Sequence, residues 1–354
     1  MNRMLIINPG STSTKISVFD NLMPLFEETI RHTNEELSPF KTIIEQFEFR
    51  KETIIKVMNE KGIDISTLTA VVGRGGLLKP ISSGVYAVTE NMLKDLRIGI
   101  QGQHASNLGG IIANEIAEEA KIKAYILDPV VVDELDDIAR ISGLPQCERR
   151  SIFHALNQKA VSKRYAKSKG VDYESLNLIV AHCGGGVSVG IHKQGLVVDV
   201  NNALNGEGPF SPERTGGLPI DAVAEMCFSG NYTKDEVFKM LSGKGGLVAY
   251  LGTNSCKEVE EMVANGDKKA ELIFKAMAYQ VAKEIGALST VVNGKVDAII
   301  LTGGISYSEA YTSLVKEKIE FIAPVEIYAG EDEMLALAEG VYRVLQGEEN
   351  LKEY

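Results

Sequence analysis

A chain of 354 residues is long enough to bury two cores, and 44% hydrophobic with 24% charged residues is an ordinary balance for a soluble globular protein. A net charge of −11 excludes a general nucleic-acid binder, since nothing would offset repulsion from phosphates; local arginines, histidines and N–H groups can still serve a small anionic substrate. The four cysteines, Cys147, Cys183, Cys227 and Cys256, lack CxxC pairing or metal-site spacing, and neither a signal peptide nor a membrane-length apolar run is found, so a soluble cytoplasmic protein with reduced thiols is expected.

Residues 4–7 form a short apolar run that predicts a buried strand. Residues 15–20 alternate, with Ile16 and Val18 on one face, which predicts a half-buried partner strand and hence a hairpin. Phe40, Ile43, Ile44 and Phe47 recur at helical spacing, in a region expected to end near Gly62. Further strands are expected at 123–127, 178–181, 187–191, 197–200 and 297–302, with helices over 268–292 and 333–345. This alternation predicts an α/β architecture. Strand, polar turn and strand occur at LIINPGSTSTKISVF and again at LIVAHCGGGVSVGIH, which predicts duplicated domains facing each other across a cleft.

The two turns carry chemistry. In Asn8-Pro9-Gly10-Ser11-Thr12-Ser13-Thr14-Lys15, Gly10 permits a tight turn and four consecutive hydroxyl residues supply donors beside exposed backbone N–H groups, which is what a phosphate needs. This differs from a Walker A loop: the second glycine before lysine is missing, and a strand follows. The second turn, His182-Cys183-Gly184-Gly185-Gly186-Val187-Ser188, lets backbone approach a ligand closely. In Leu301-Thr302-Gly303-Gly304-Ile305-Ser306, a strand is expected to give way to a helix, whose N-terminus favours anions.

These motifs, in this order, resemble the acetate and butyrate kinase family within the actin, hexokinase and Hsp70-like superfamily. The resemblance implies two ribonuclease-H-like (actin-like ATPase) domains with the active site in the cleft between them: residues 1–150 with 331–354 for the acyl substrate, and 151–330 for the nucleotide. It implies ATP/ADP and Mg²⁺ as cofactors, a short-chain carboxylate as substrate, and a homodimer or larger assembly, with no nucleic-acid or membrane partner. Carried over by position, Arg74 and Arg214 grip the carboxylate or the phosphoryl group in flight. His154 stabilises that group, and Asp128 is the active-site aspartate. His104, Phe153, Gly75 and Gly76 line the acyl side. Asn8, Ser11, Ser13, Lys15, His182, Gly184, Gly185, Gly186, Gly303, Gly304 and Ile305 bind phosphates and nucleotide, and Asn8, Asp128 and Glu333 stand near the metal.

Physical chemistry asks for the same groups. A carboxylate attacking a γ-phosphate joins two anions, so the site needs cations and oriented donors. The attacking carboxylate is already ionised at neutral pH and needs no general base. Gly75 and Gly76 replace the two valines usual in acetate kinases and are expected to leave room for extra methylenes, favouring butyrate by about tenfold or more at ~0.8 kcal/mol per CH₂. The Asn8-Pro9-Gly10 opening points the same way. Branched-chain acids and acetate stand as alternative substrates. A non-catalytic ATP binder of the Hsp70 or actin type is the more distant alternative, although such proteins lack this arginine and histidine set. His32 and His192 fall outside every motif and are expected to be structural or surface residues; Arg140, Arg149 and Arg150 are expected to be surface or interface charges. The run Glu331-Asp332-Glu333 reads as a helix N-terminal cap.

Overall fold

In the computed structural model, which describes residues 1–354, the apolar run 4–7 lies fully buried at the centre of a sheet. Strand β1 (Arg3–Pro9) pairs antiparallel with β2 (Ser13–Asp20), and β2 with β3 (Met23–Arg31). β4 (Ala70–Arg74) lies parallel to β1; β5 (Val85–Ala87) forms the far edge, antiparallel to β6 (Lys123–Leu127), which is parallel to β4. The order is β3-β2-β1-β4-β6-β5. β2 is more buried than its alternation predicts, because strands flank it on both sides; even Ser17 is buried, its Oγ donating to the Phe26 carbonyl at 2.7 Å. The polar-out alternation falls instead on the edge strand β3.

A second sheet repeats the plan. β7 (Asn177–Cys183), β8 (Val187–Lys193) and β9 (Leu196–Val200) form an antiparallel meander, and β10 (Ala298–Gly303) and β11 (Val325–Ala329) extend it in parallel. Read from the meander edge, β9-β8-β7-β10-β11 is the order β3-β2-β1-β4-β6 over again, so the duplication expected from the two turns holds for the whole sheet. Alternation along β7 sends Leu178 and Val180 toward Val161 and Tyr165 of the helix Ala155–Lys169. Ile179, Ala181 and Cys183 pack with Phe274, Met277 and Val281 of the helix Lys268–Ser289.

The chain divides into two units, Met1–Val132 with Asp332–Tyr354, and Asp133–Glu331. The first division falls earlier than residue 150 because the intervening segment is tied to the second unit. Asp136 N–H donates to Val198 O, and Arg149 pairs with Asp199 at 2.9 Å and donates to the carbonyls of Ala139 and Val200, which makes it a clamp rather than a surface charge. The helix Ala155–Lys169 packs on the second sheet, while the last helix, Glu333–Gln346, packs on β1, β4 and β6 of the first. Among the predicted helices, 40–62 shortens to Phe47–Glu60 after a 3₁₀ turn at Ile44–Gln46. No helix is long and apolar enough to cross a membrane.

Candidate active site

In the first unit the parallel strands β1, β4 and β6 end side by side, with Ile7 opposite Gly73 and Arg74 opposite Leu127. Asn8, Arg74 and Asp128 therefore stand together at the carboxyl edge of the sheet, where open α/β sheets bind ligands. The last helix begins at Glu333 and delivers its carboxylate to this edge. Arg74 Nη2 lies 2.9 Å from Glu333 Oε1, and Nη1 donates to Oε2 at 3.0 Å. Asn8 Nδ2 donates to the same Oε2 at 2.6 Å. The Arg74 fork thus holds a carboxylate in two-point fashion, the geometry such a fork is built for.

Asp128 has a left-handed backbone (φ 38°), and its Oδ1 accepts from Ser83 Oγ and Gly84 N–H, both at 2.7 Å. Asp332 is also left-handed (φ 40°), and its side chain makes no capping bond. The acidic run is therefore not a side-chain cap: Glu331 and Glu333 point to different units, separated by the turn at Asp332.

The turn between β1 and β2 is tight, Gly10 N–H donating to Ser13 O at 2.8 Å. Sequence reasoning missed what braces it. Arg50, fully buried on the helix Phe47–Glu60, donates to the carbonyls of Gly10, Ser11 and Ser13 and to Thr14 Oγ1 at 2.8–3.0 Å. Burial lowers its guanidinium to about 10, so it remains a cation at neutral pH. The signal was present: Arg50 shares the helix face of Phe47, Ile54 and Met58, an apolar face on which a lone charge needs a task. His32, which accompanies it, is buried with Nε2 2.9 Å from Thr14 Oγ1, a structural residue. Lys15 stands opposite Asn8 in register, but its ammonium pairs with Glu27 at 2.6 Å, and the structure does not bring it to Arg74.

Gly75 and Gly76 do not open the space for methylenes expected of them. A Cβ at Gly75 would meet Pro129 Cβ at 2.7 Å, and one at Gly76 would meet Asn107 Oδ1 at 2.4 Å. The space vacated by the missing side chains is filled by Pro129 and Asn107, so these glycines permit close packing rather than leaving room for methylenes. Asn107 is fixed there by the Leu77 N–H, which donates to its Oδ1 at 2.8 Å. His104, nearby and exposed, has Nδ1 beside Ser106 Oγ at 2.8 Å.

In the second unit the β7–β8 turn, residues 184–186, has the same length as the turn 10–12. A Cβ at Gly186 would overlap the Arg214 guanidinium, 1.9 Å from Nη1, so glycine is what admits the arginine. Nη1 of Arg214 donates to Ala203 O at 2.7 Å, and burial lowers the guanidinium from its ordinary value. His182 and His154 stack in parallel, centroids 3.7 Å apart. Asn157 Nδ2 donates to Glu331 O, leaving Asn157 Oδ1 to accept from His182 Nδ1–H at 2.8 Å. His182 Nε2 is buried without a hydrogen bond, 3.3 Å from Glu331 Oε1. Phe153 is buried within this unit.

β10 ends at Gly303 (φ +86°), where a Cβ would strike the Cys183 carbonyl at 2.3 Å. This close approach sets Gly304 and Ile305 beside the glycine turn. After the strand the chain makes a 3₁₀ turn, Gly304–Tyr307, and the α-helix starts only at Glu309 with Ser308 as its N-cap, later than expected. Gly184, Gly185, Gly304 and Ile305 line one pocket of about 360 Å³, together with Asn254 and Lys257, which no motif had marked. That volume lies within the usual range of small-molecule sites.

The acetokinase family matches residues 146–337. The chain is 61% identical over 352 residues to butyrate kinase 2 of Clostridium acetobutylicum, covering 99% of each chain, and 61% identical over 354 residues to butyrate kinase 1 of the same organism, covering all of both. Its fold is shared with the crystal structure of Porphyromonas gingivalis acetate kinase, with a TM-score of 0.79 over 97% of this chain and 100% of that one at 18% identity. The chain belongs to the acetokinase family.

Proposed function

We propose that this enzyme transfers the γ-phosphate of ATP to butyrate, reversibly, giving butyryl phosphate and ADP. The observation that carries the reading is 61% identity, along the whole chain, to two butyrate kinases. The site chemistry supports it: the Arg74 fork already holds a carboxylate, and a buried imidazole nitrogen and a second, half-buried arginine stand in the other unit. The butyrate carboxylate oxygen forms a bond to the γ-phosphorus as the bond to the β,γ-bridging oxygen breaks, and ADP leaves with that electron pair. No proton has to move, because butyrate is ionised at neutral pH.

In this reading the first unit takes the acyl substrate, with Arg74 on its carboxylate in place of Glu333. Asn8, Ser11 and Ser13 take phosphate oxygens, and Asp128 is held by Ser83 and Gly84 to orient its neighbours. The second unit takes the nucleotide on the Gly184–Gly186 turn and on Gly303, Gly304 and Ile305. Arg214 and His154 stabilise the phosphoryl group in flight, where oriented donors act in place of covalent help, and His182 opens the turn that takes the phosphates. Asn8 Oδ1 and the Glu333 carboxylate are hard oxygen donors that fit Mg²⁺, a cation that draws its other ligands from phosphates and water. Bound Mg²⁺ would offset the charge of the β- and γ-phosphates. Four free thiols support a cytoplasmic setting. The helix Ile220–Phe228, with Ile220 83% and Phe228 90% exposed, supports a homo-oligomer formed through the second unit.

A coupled assay over acetate, propionate, butyrate, isobutyrate and isovalerate tests the acyl assignment. The highest kcat/KM is expected on butyrate; a clear preference for acetate would sink that part of the proposal.

A further inference from the structure

Strand β8 places Ser188, Gly190 and His192 on one face, two residues apart, against Gln158 and Ser162 of the helix Ala155–Lys169. Ser188, His192, Gln158 and Ser162 are all fully buried. Every hydrogen in this layer can be placed, because some of its groups only donate and others only accept. The Ser188 carbonyl can only accept, so Gln158 turns its Nε2 toward it at 3.0 Å and toward Ser188 Oγ at 2.9 Å. Gln158 Oε1 then faces His192 Nε2 at 3.0 Å and must accept from it. Room for this amide comes from Gly190, where a Cβ would stand 2.8 Å from Gln158 Oε1.

Burial holds His192 well below the ordinary imidazole range, so its ring is neutral and Nδ1 is bare. That nitrogen accepts from the Tyr173 hydroxyl at 2.6 Å; Ser162 Oγ, 3.3 Å away, donates to Gln158 O instead. At the other end, both lone pairs of Ser188 Oγ are taken, by Gln158 Nε2 and by the His154 N–H at 3.4 Å. The Ser188 hydroxyl hydrogen therefore goes to His154 Nδ1, 2.8 Å away. With Nδ1 accepting, the hydrogen of His154 sits on Nε2.

We infer that Tyr173, His192, Gln158 and Ser188 form a hydrogen-bond relay of single polarity that holds His154 as its neutral Nε2–H tautomer, a fixed donor for the phosphoryl oxygens. The inference rests on the phosphoryl role proposed above for His154. Ser188, Gln158 and His192 act through that ring and are positioning residues. A tautomer set in advance costs no reorganisation when charge develops in the transition state.

Selective ¹⁵N labelling of the five histidines, read by long-range ¹H–¹⁵N correlation, reports the tautomer directly. His154→Asn identifies the His154 signals by their loss. Wild-type His154 is expected as the Nε2–H form. His192→Phe, two side chains away along the relay, is expected to move the His154 signals toward those of exchanging tautomers. It should lower kcat at least about tenfold while leaving the KM for ATP within about twofold. His192→Gln, whose amide can accept from Tyr173 and donate to Gln158, should restore the signals and most of the lost turnover. A wild-type Nδ1–H tautomer, or unmoved His154 signals in folded His192→Phe, would overturn the relay. Should His192→Phe not fold, Ser188→Ala with the wild-type spectrum decides in the same way. Turnover of His154→Asn separates the two claims. Wild-type activity there removes the phosphoryl role and with it the purpose of the relay; an inactive variant alongside a wild-type Nδ1–H tautomer removes the relay and leaves the role.

Discussion

Replacing Arg74 with alanine is expected to lower kcat/KM for butyrate by about 10²- to 10³-fold, or 3–4 kcal/mol of transition-state stabilisation. Geometry, and not charge alone, sets this expectation. The guanidinium sits at the end of β4 with its two donors 2.9 and 3.0 Å from the two oxygens of Glu333, so the fork is already shaped around a carboxylate. Alanine removes both donors and leaves Glu333 with the Asn8 amide at 2.6 Å. Lysine keeps the charge but offers a point rather than a plane, so Arg74→Lys should recover little. Trapping the acyl phosphate with hydroxylamine measures both variants. Near wild-type kcat/KM in Arg74→Lys would show that two-point recognition is not what the site uses.

Arg50→Met is expected to cost about 3 kcal/mol or more of stability, at about 1–3 kcal/mol for each orphaned acceptor. The loss of one guanidinium strands the Gly10 and Ser11 carbonyls, while Ser13 O keeps the Gly10 N–H. The carbonyls of Gly10, Ser11 and Ser13 would lose the donor they share, as would Thr14 Oγ1, while Gln46 Oε1 would lose two contacts at 2.9 and 3.2 Å. Methionine fills the volume, so cavity formation is largely removed from the comparison. Urea unfolding should show a lowered midpoint with an unchanged slope. Because the stranded carbonyls belong to the turn proposed for phosphate, the KM for ATP should also rise. A stable variant with a normal KM would mean that the turn holds itself.

The duplication was legible in the sequence for a physical reason. Strands buried on both faces read as apolar runs, and the turns at their ends are punctuated by glycine and hydroxyl residues, so LIINPGSTSTKISVF and LIVAHCGGGVSVGIH stood out as one plan used twice. Gathering Asn8 and Arg74 required only that β1 and β4 be parallel neighbours. What stayed hidden depends on partners far along the chain. Nothing local to Gly76 says that Asn107 fills the space beside it, so glycine was read as room when it was contact. Butyrate is thus supported by whole-chain identity and not by that pocket.

Arg50 went unmarked, and His192 was expected only to be a structural or surface residue. Each sits on an otherwise apolar or small-residue face, and its purpose appears only once residues 30 to 40 positions away are in place. The spacing Ser188-Gly190-His192 did carry a signal: polar and glycine residues at a period of two inside a buried strand must meet polar partners. The matching partners on the helix, Gln158 and Ser162, lie four residues apart. Reading the two stripes together would have found the relay.

Phosphoryl transfer to the carboxylate, rather than to water, is tested most sharply by where the transferred phosphate goes. The enzyme is incubated with ATP and butyrate labelled with ¹⁸O in both carboxylate oxygens, and the product is cleaved with hydroxylamine at the acyl carbon. Carboxylate phosphorylation predicts butyryl hydroxamate together with phosphate carrying a single ¹⁸O, because the bridging oxygen of butyryl phosphate comes from butyrate. Release of ADP with unlabelled phosphate and no hydroxamate would contradict it.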